Sequence, residues 1–129
     1  MEDMKLGLVE TRFAQLIWAH EPIGSGELVK LCEKELEWKK STTYTVLKKL
    51  SGRGFFQNQD GVVTALISES DYYAMQSEQF VAETFDGSLP AFLAAFTKRK
   101  ALSEEEVAEL RRMIDRLSEA NEKKENRHG

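Results

Sequence analysis

Apolar residues recur at helical spacing from the start of the chain. Val9, Phe13 and Ile17 lie four residues apart, which predicts one buried face of a helix that ends before Pro22. A shorter apolar stripe follows Ser25, and serine is a residue type that often caps helix N-termini. The chain is therefore predicted to begin with two amphipathic helices, the second of them capped by Ser25.

A third apolar stripe lies in the segment KKSTTYTVLKKLSGRG, residues 39–54. Its spacing of i, i+3, i+4 and i+7 predicts a helix that packs one face on the first two helices. That face is formed by Thr43, Val46, Leu47 and Leu50. The same helical rotation is expected to turn outward the side chains of Ser41, Thr42, Tyr44, Thr45 and Lys48.

The spacing changes from helix to strand after Gly54. In FFQNQDGVVTALIS, two runs rich in aromatic or β-branched residues flank Asp60-Gly61, a strong signal for a short hairpin loop. Three helices followed by a two-stranded hairpin is the element order of a winged helix-turn-helix. In that fold the outer face of the third helix, with its short hydroxyls, aromatic ring and cations, suits a DNA major groove.

The second half of the chain returns to helical spacing. Ser68 or Ser70 can cap a fourth helix, Ser88 a fifth, and Ser103 with Glu106 forms a capping box for a sixth. These helices carry apolar stripes but have no obvious second layer within their own chain. Pairing with a second copy would bury more apolar surface for each residue ordered, so a homodimer is predicted. The predicted interface residues are Phe80, Phe85, Leu89, Phe92, Leu93, Phe96, Val107, Leu110, Ile114 and Leu117.

The predicted fold class is mainly α with a small β-hairpin. A winged helix-turn-helix domain is expected over residues 1–68 and a C-terminal helical dimerisation region over residues 69–120. Residues 121–129 are polar and are expected to fray.

Charge is distributed unevenly along the chain. The 129 residues have a net charge of −4, yet residues 39–53 contain four lysines, one arginine and no acid. A polyanion responds to the local potential rather than to the net charge, so this basic cluster favours a nucleic-acid partner. The competing interpretation is a solvated helix face, which is what most short charge runs are.

Several function classes lack support in the sequence. Cys32 is the only cysteine, so an internal disulfide and a cysteine-rich zinc module are excluded and a buried thiol is expected. No apolar run is long enough for a membrane span, and a soluble cytoplasmic protein without direct membrane binding is expected. Catalytic motifs are absent and the only histidines are His20 and His128, so we expect neither an enzyme nor a cofactor or metal site.

Three segments in the right order resemble one family of transcriptional regulators. They are Trp18 in LIWAHEP, then Trp38 followed by TTYTVLKKL and Gly54, and then FDGSLPAFLAAF followed by LSEEEVAEL. This arrangement is similar to the penicillinase-repressor family (BlaI/MecI/CopY type), which joins an N-terminal winged helix to a C-terminal helical dimerisation region. The resemblance covers residues 8–117.

The resemblance implies a homodimeric repressor that binds a double-stranded, pseudo-palindromic DNA operator and blocks a promoter. It implies that the third helix enters the major groove. The candidates for base-edge contacts are then Thr42, Tyr44 and Thr45. The candidates for phosphate contacts are Lys40, Ser41, Lys48, Lys49 and Arg53.

The sequence departs from the family pattern at three places. The wing of the family commonly carries basic residues after the turn glycine, whereas Gly61 is followed by Val62. Antibiotic-sensing members are cleaved at an Asn-Phe bond after a membrane sensor protease system responds, but here Ala95 precedes Phe96. Copper-responsive members end in a cysteine-rich motif that this chain lacks. The non-basic wing and the acidic pI favour an alternative hypothesis, a winged-helix protein-interaction module without specific DNA binding.

Overall fold

Six helices and three short strands make up the part of the chain described by the computed structural model, residues 4–128, with side chains described for residues 4–126. In chain order they are α1 (Leu8–His20), β1 (Ile23–Gly24), α2 (Ser25–Leu36), α3 (Lys40–Gly52), β2 (Phe56–Gln59), β3 (Val62–Ala65), α4 (Glu69–Thr84), α5 (Leu89–Arg99) and α6 (Glu104–His128). The chain divides into two compact units between Phe80 and Val81.

The sheet has three antiparallel strands in the order β1-β3-β2, one more than the predicted hairpin. Ile23 lies opposite Val63 and Gly24 opposite Val62, so β1 pairs with the outer edge of the hairpin. The sequence did not reveal β1 because two residues are too few to show an alternating pattern. The predicted turn is confirmed: Asp60 and Gly61 both have positive φ, at 52° and 82°, as a short hairpin loop requires.

The core of the N-terminal unit lies between α1, α2, α3 and the sheet. Its largest fully buried side chains are Phe13, Ile17, Leu28, Leu50, Phe55, Phe56 and Val63. The indole of Trp18 donates a hydrogen bond to the Ile67 carbonyl at 2.9 Å and lies against the ring of Phe56, 5.9 Å between centroids. Cys32 is buried as predicted, and burial raises the pKa of its thiol. These contacts fix α3 on a rigid support.

The first turns of α4 belong to the N-terminal unit. Ser68, not Ser70, caps the helix, because its hydroxyl oxygen accepts a hydrogen bond from the Asp71 amide at 3.0 Å. Tyr72 is buried, and its hydroxyl accepts a hydrogen bond from the Leu6 amide at 3.0 Å. The sequence predicted a domain boundary at residues 68/69. In the structure the compact units divide between Phe80 and Val81, because Tyr72 is buried and the start of α4 packs within the N-terminal unit.

Removing the Tyr72 hydroxyl is expected to destabilise the protein. Tyr72→Phe leaves the buried Leu6 amide without its acceptor, which should lower the free energy of unfolding by about 1 to 2 kcal/mol. Tyr73→Phe is the matched control, since the Tyr73 hydroxyl is bonded only at the exposed surface, to Gln15 at 3.2 Å. Urea denaturation of both variants checks the difference. Equal midpoints for the two variants would contradict the assigned role of Tyr72.

Two helices of the C-terminal unit begin as predicted. The Ser88 hydroxyl accepts a hydrogen bond from the Ala91 amide at 3.1 Å at the start of α5. At the start of α6, Ser103 and Glu106 form the reciprocal capping box, with Glu106 N to Ser103 Oγ at 3.0 Å and Ser103 N to Glu106 Oε1 at 3.2 Å. These bonds satisfy amides that the helices leave unpaired.

The last helix is longer than predicted. It remains helical to His128, through residues that the sequence predicted to fray. Glutamate and lysine favour helix, and Glu119 and Lys123 stand four residues apart in the favourable order. The side chain of His128 lies outside the described residues. Within the described part of the chain, no helix is both long and apolar enough to cross a membrane.

Candidate nucleic-acid interface

Helix α3 is oriented as its apolar stripe predicted. Thr43, Leu47 and Leu50 are buried against the rest of the N-terminal unit. The exposed side chains on the opposite side are those of Ser41, Thr42, Tyr44, Thr45, Lys48 and Lys49. We call this outer face of α3 the basic face. It brings most of the base-edge and phosphate candidates onto one solvent-facing surface.

The hydroxyl of Thr45 is held by its own helix. Its Oγ1 donates a hydrogen bond to the Ser41 carbonyl at 2.8 Å, which fixes the rotamer and leaves the methyl group and the oxygen lone pairs exposed. A threonine in this state can accept a hydrogen bond from an exocyclic amine of a base and can contact a thymine methyl. Thr42, one turn earlier and also exposed, adds a second hydroxyl and methyl to the basic face.

Tyr44 connects α3 to two other elements. Its hydroxyl donates a hydrogen bond to Ser25 Oγ at 3.2 Å, and the Ser25 amide donates to the Gly61 carbonyl at 2.7 Å. The prediction that Ser25 caps α2 is wrong, because Gly24 is the N-cap and Ser25 is the first helical residue. Ser25 instead links α2, α3 and the hairpin turn, and about a third of the Tyr44 side chain (36%) remains exposed.

The cations of residues 39–53 fall into two groups. Lys39, Lys40 and Lys48 are exposed and form no ion pair with any other described residue. Lys49 and Arg53 face Glu10 of α1, with Lys49 Nζ 3.0 Å from Oε2 and Arg53 Nη1 3.8 Å from Oε1. The structure therefore sets Lys49 and Arg53 apart from the other phosphate candidates.

Arg53 has further contacts on the same side of the molecule. Its Nη2 donates a hydrogen bond to the Lys5 carbonyl at 3.0 Å, and its guanidinium lies over the Phe55 ring, 5.2 Å from the centroid. Only 26% of the Arg53 side chain is exposed, against 62% of Lys49. Arg53 is thus anchored by several contacts, whereas Lys49 is held by a mostly solvated ion pair.

Glu10 is the residue beside the basic face whose position the sequence did not reveal. Its Oε1 accepts a hydrogen bond from the Gly7 amide at 3.0 Å, and only 20% of its side chain is exposed. This hydrogen bond, assisted by Lys49 and Arg53 and opposed by burial, lowers the pKa of the Glu10 carboxyl. The residue is therefore a fixed negative charge beside α3. A capping signal for α1 could have been read in the sequence, but the contact with α3 arises only from the tertiary fold.

The hairpin of β2 and β3 adds no positive charge to the basic face. Residues 54–97 contain no lysine or arginine, and Asp60 lies at the turn. The exposed side chains near the turn include Asn58, Gln59 and Val62, of which only the two amides can donate hydrogen bonds. Residues 54–80 of this unit therefore add no positive charge to that of α3.

Comparison with known proteins places the chain in a family. The family model described as penicillinase repressor matches residues 6–116. The chain belongs to the penicillinase repressor family. A penicillinase repressor from Bacillus licheniformis is 31% identical over 120 residues, covering 90% of this chain and 92% of its own. The methicillin resistance regulatory protein MecI of Staphylococcus aureus is 22% identical over 116 residues, covering 87% of this chain and 94% of its own.

Penicillinase repressors are transcriptional regulators rather than enzymes, and this chain has the corresponding architecture of a winged helix followed by C-terminal helices. The methicillin resistance regulatory protein MecI of Mammaliicoccus sciuri, 21% identical over 116 residues, aligns over 87% of this chain and 94% of its own. Because the match spans both compact units, the family assignment applies to the helical C-terminal half as well as to the winged helix.

The C-terminal helices of this chain carry an open apolar surface. None of the side chains of α5 described here is buried, and Phe92 contacts the rings of Phe85 and Phe96, with centroids 5.7 and 6.1 Å apart. A groove between α5 and α6 is lined by apolar side chains, and its members are Phe92, Leu93, Phe96, Leu102, Leu110 and Met113, with Glu106 and Glu109 at its border.

The predicted dimer residues differ in exposure. Four are half-buried within the chain, namely Phe85, Phe92, Val107 and Leu110. Six are exposed, namely Phe80, Leu89, Leu93, Phe96, Ile114 and Leu117. Five of the exposed residues lie in α5 or α6, and Phe80 lies near the end of α4, in the other compact unit. We call the apolar side chains of α5 and α6 the C-terminal apolar surface.

Proposed function

We propose that this member of the penicillinase repressor family is a homodimeric DNA-binding protein that recognises a pseudo-palindromic operator through the basic face of α3. The observation that carries the proposal is the composition of that face. It presents hydroxyls, methyl groups, one aromatic ring and the lysines Lys48 and Lys49 on a helix whose other side is buried in the core. Helices of this kind fit the major groove and read base edges there.

The two classes of contact are assigned to different residues. Thr42 and Thr45 are the base-edge candidates with exposed side chains on the outer face of α3. The Tyr44 hydroxyl is hydrogen-bonded to Ser25, so Tyr44 is proposed to contact DNA through its ring. Lys40 and Lys48, with the Ser41 hydroxyl, are the proposed phosphate contacts. Phosphate contacts set the affinity and its salt dependence, and base contacts set the sequence preference.

The C-terminal apolar surface supports a second copy of the chain as partner. An exposed surface of leucine, isoleucine and phenylalanine on two helices is unusual for a monomer and typical of a dimerisation region. A two-fold axis between two such regions would present two copies of α3 to two half-sites, which is why the operator is proposed to be pseudo-palindromic.

One observation favours the alternative, a protein-interaction module. The wing lacks the basic residues with which a wing can hold a phosphate backbone, and Asp60 at its turn repels one. The lysines of α3 weigh against that alternative, because a surface that had lost DNA binding would not need an acid-free helix. Release by cleavage of an Asn-Phe bond is not proposed, since Ala95 precedes Phe96.

Lys48→Gln tests the assignment of α3 to the DNA backbone. Loss of one phosphate contact in each protomer should lower the affinity for every duplex and reduce the slope of log K against log salt by about 2. Lys34→Gln is the matched control, since Lys34 is exposed in the last turn of α2 and the charge change is the same. Fluorescence anisotropy over a salt series measures both slopes. Equal slopes for the two variants would contradict the assignment.

A further inference from the structure

A DNA phosphate would compete with Glu10 for two of the cations of residues 39–53. Glu10 lies on α1, yet its two carboxylate oxygens face Lys49 and Arg53 at 3.0 and 3.8 Å, at the C-terminal end of the helix proposed to enter the major groove. Its position is set independently of these cations, because Oε1 also accepts the Gly7 amide and most of the side chain is buried. A fixed carboxylate and a phosphate oxygen are alternative partners for the same cations.

We propose that Glu10 limits the sequence-independent affinity of the protein for DNA, as an internal counter-ion that competes with the DNA backbone for Lys49 and helps to hold Arg53 away from it. This inference rests on the proposed function. The unpaired lysines Lys40 and Lys48 then provide most of the phosphate attraction of α3, and the threonines of the basic face provide the sequence preference.

The two cations respond differently because they are held differently. Arg53 has the Lys5 carbonyl and the Phe55 ring as well as Glu10, so leaving this site requires breaking several contacts at once. Lys49 has a flexible, largely solvated side chain, and exposed ion pairs of this kind exchange partners readily. Lys49 is therefore the cation that loss of Glu10 would release most readily, whereas Arg53 would keep its contacts with the Lys5 carbonyl and the Phe55 ring.

The consequence concerns the general affinity for DNA. Phosphate contacts strengthen binding to all sequences, so each additional cation that reaches the backbone raises the affinity for operator and unrelated DNA alike. By engaging two cations, Glu10 is expected to lower the affinity for every duplex and to make binding less dependent on salt.

Glu10→Gln is the direct test. Glutamine retains an oxygen for the Gly7 amide, so the helix start is preserved while the charge is removed. The variant should bind an unrelated duplex more tightly than the parent protein. If one cation is released in each protomer, the slope of log K against log salt should become steeper by about 2 for the dimer.

Glu33→Gln is the matched control for net charge. Glu33 is an exposed glutamate of α2 in the same compact unit, and it forms no ion pair with any other residue that the structure describes. The control should leave the slope unchanged. If Glu10→Gln and Glu33→Gln gave the same slope and affinity, the role assigned to Glu10 would be overturned.

Lys49→Gln completes the comparison, because Lys49 is the cation nearest to Glu10. In the parent protein it should change the salt slope little, since Lys49 is paired with Glu10. In the Glu10→Gln background it should reverse most of the gain. An equal loss of slope in both backgrounds would show that Lys49 contacts DNA despite Glu10, which contradicts the proposal.

Elution from a heparin column separates this inference from the proposed function. Heparin is a polyanion without base sequence, so Glu10→Gln should elute at higher salt than Glu33→Gln even if no operator exists. Co-elution of the two variants would overturn the inference. Absence of a sequence-specific DNA complex, together with the expected heparin shift, would overturn the proposed function and leave the role of Glu10 in place.

Discussion

Thr45→Glu is expected to abolish operator binding and to leave the dimer intact. Thr45 stands on the exposed side of α3, one turn from the lysines proposed to contact phosphates. A carboxylate at this position would be repelled by the negative potential of the groove. The substitution would also remove the threonine methyl group and its contact. We expect the affinity for the operator to fall by about 100-fold or more, since base contacts are each worth about 1 to 3 kcal/mol before charge repulsion is added.

Thr45→Val separates charge from shape. Valine keeps one methyl group and nearly the same volume but cannot accept a hydrogen bond, so it should lose only part of the affinity. Anisotropy measures binding of both variants, and sedimentation velocity measures their oligomeric state. If Thr45→Glu abolished dimerisation as well as DNA binding, the assignment of Thr45 to an outward recognition surface would be wrong.

Combined Leu110→Lys and Ile114→Lys substitutions are expected to dissociate the dimer. The two residues belong to one stripe of α6, with Leu110 lining the groove against α5 and Ile114 exposed in the single chain. A second copy that covers this stripe would have to bury four ammonium groups. The dimer dissociation constant should rise by about 100-fold or more, because interface side chains of this kind are each worth about 2 kcal/mol.

A matched double variant controls for the added charge. Ala108→Lys and Ser118→Lys place the same charges on α6 at exposed positions beside the stripe. This protein should remain a dimer by analytical ultracentrifugation and should still bind the operator. If the Leu110/Ile114 variant also remained a dimer at micromolar concentration, α6 would not be an interface element.

The sequence predicted α3 well because its evidence is local. Helical periodicity alone assigns Thr43, Leu47 and Leu50 to the buried side, and the outward face follows from the same rotation. The turn at Asp60-Gly61 was predictable for a similar reason, since few residue pairs adopt two positive φ angles in succession. These features depend on neighbours within one element.

What the sequence did not reveal depends on contacts between distant elements. Strand β1 is only two residues long, and it exists because β3 is present to pair with it. Ser25 has the residue type of a helix cap, but its amide donates a hydrogen bond to the Gly61 carbonyl and its hydroxyl oxygen accepts one from Tyr44. Glu10 faces α3 only once α1 has packed. No local pattern encodes these pairings.

Two copies of this chain are proposed to recognise a specific DNA sequence through α3. The most direct measurement is a fluorescence-anisotropy titration of the full chain against duplexes from its own upstream region, at two salt concentrations, with unrelated duplex as competitor. We predict a complex of two chains per site that weakens steeply with salt and resists the competitor. Binding that the competitor removes, or no binding at all, would contradict sequence-specific DNA recognition and favour a winged helix that recognises protein.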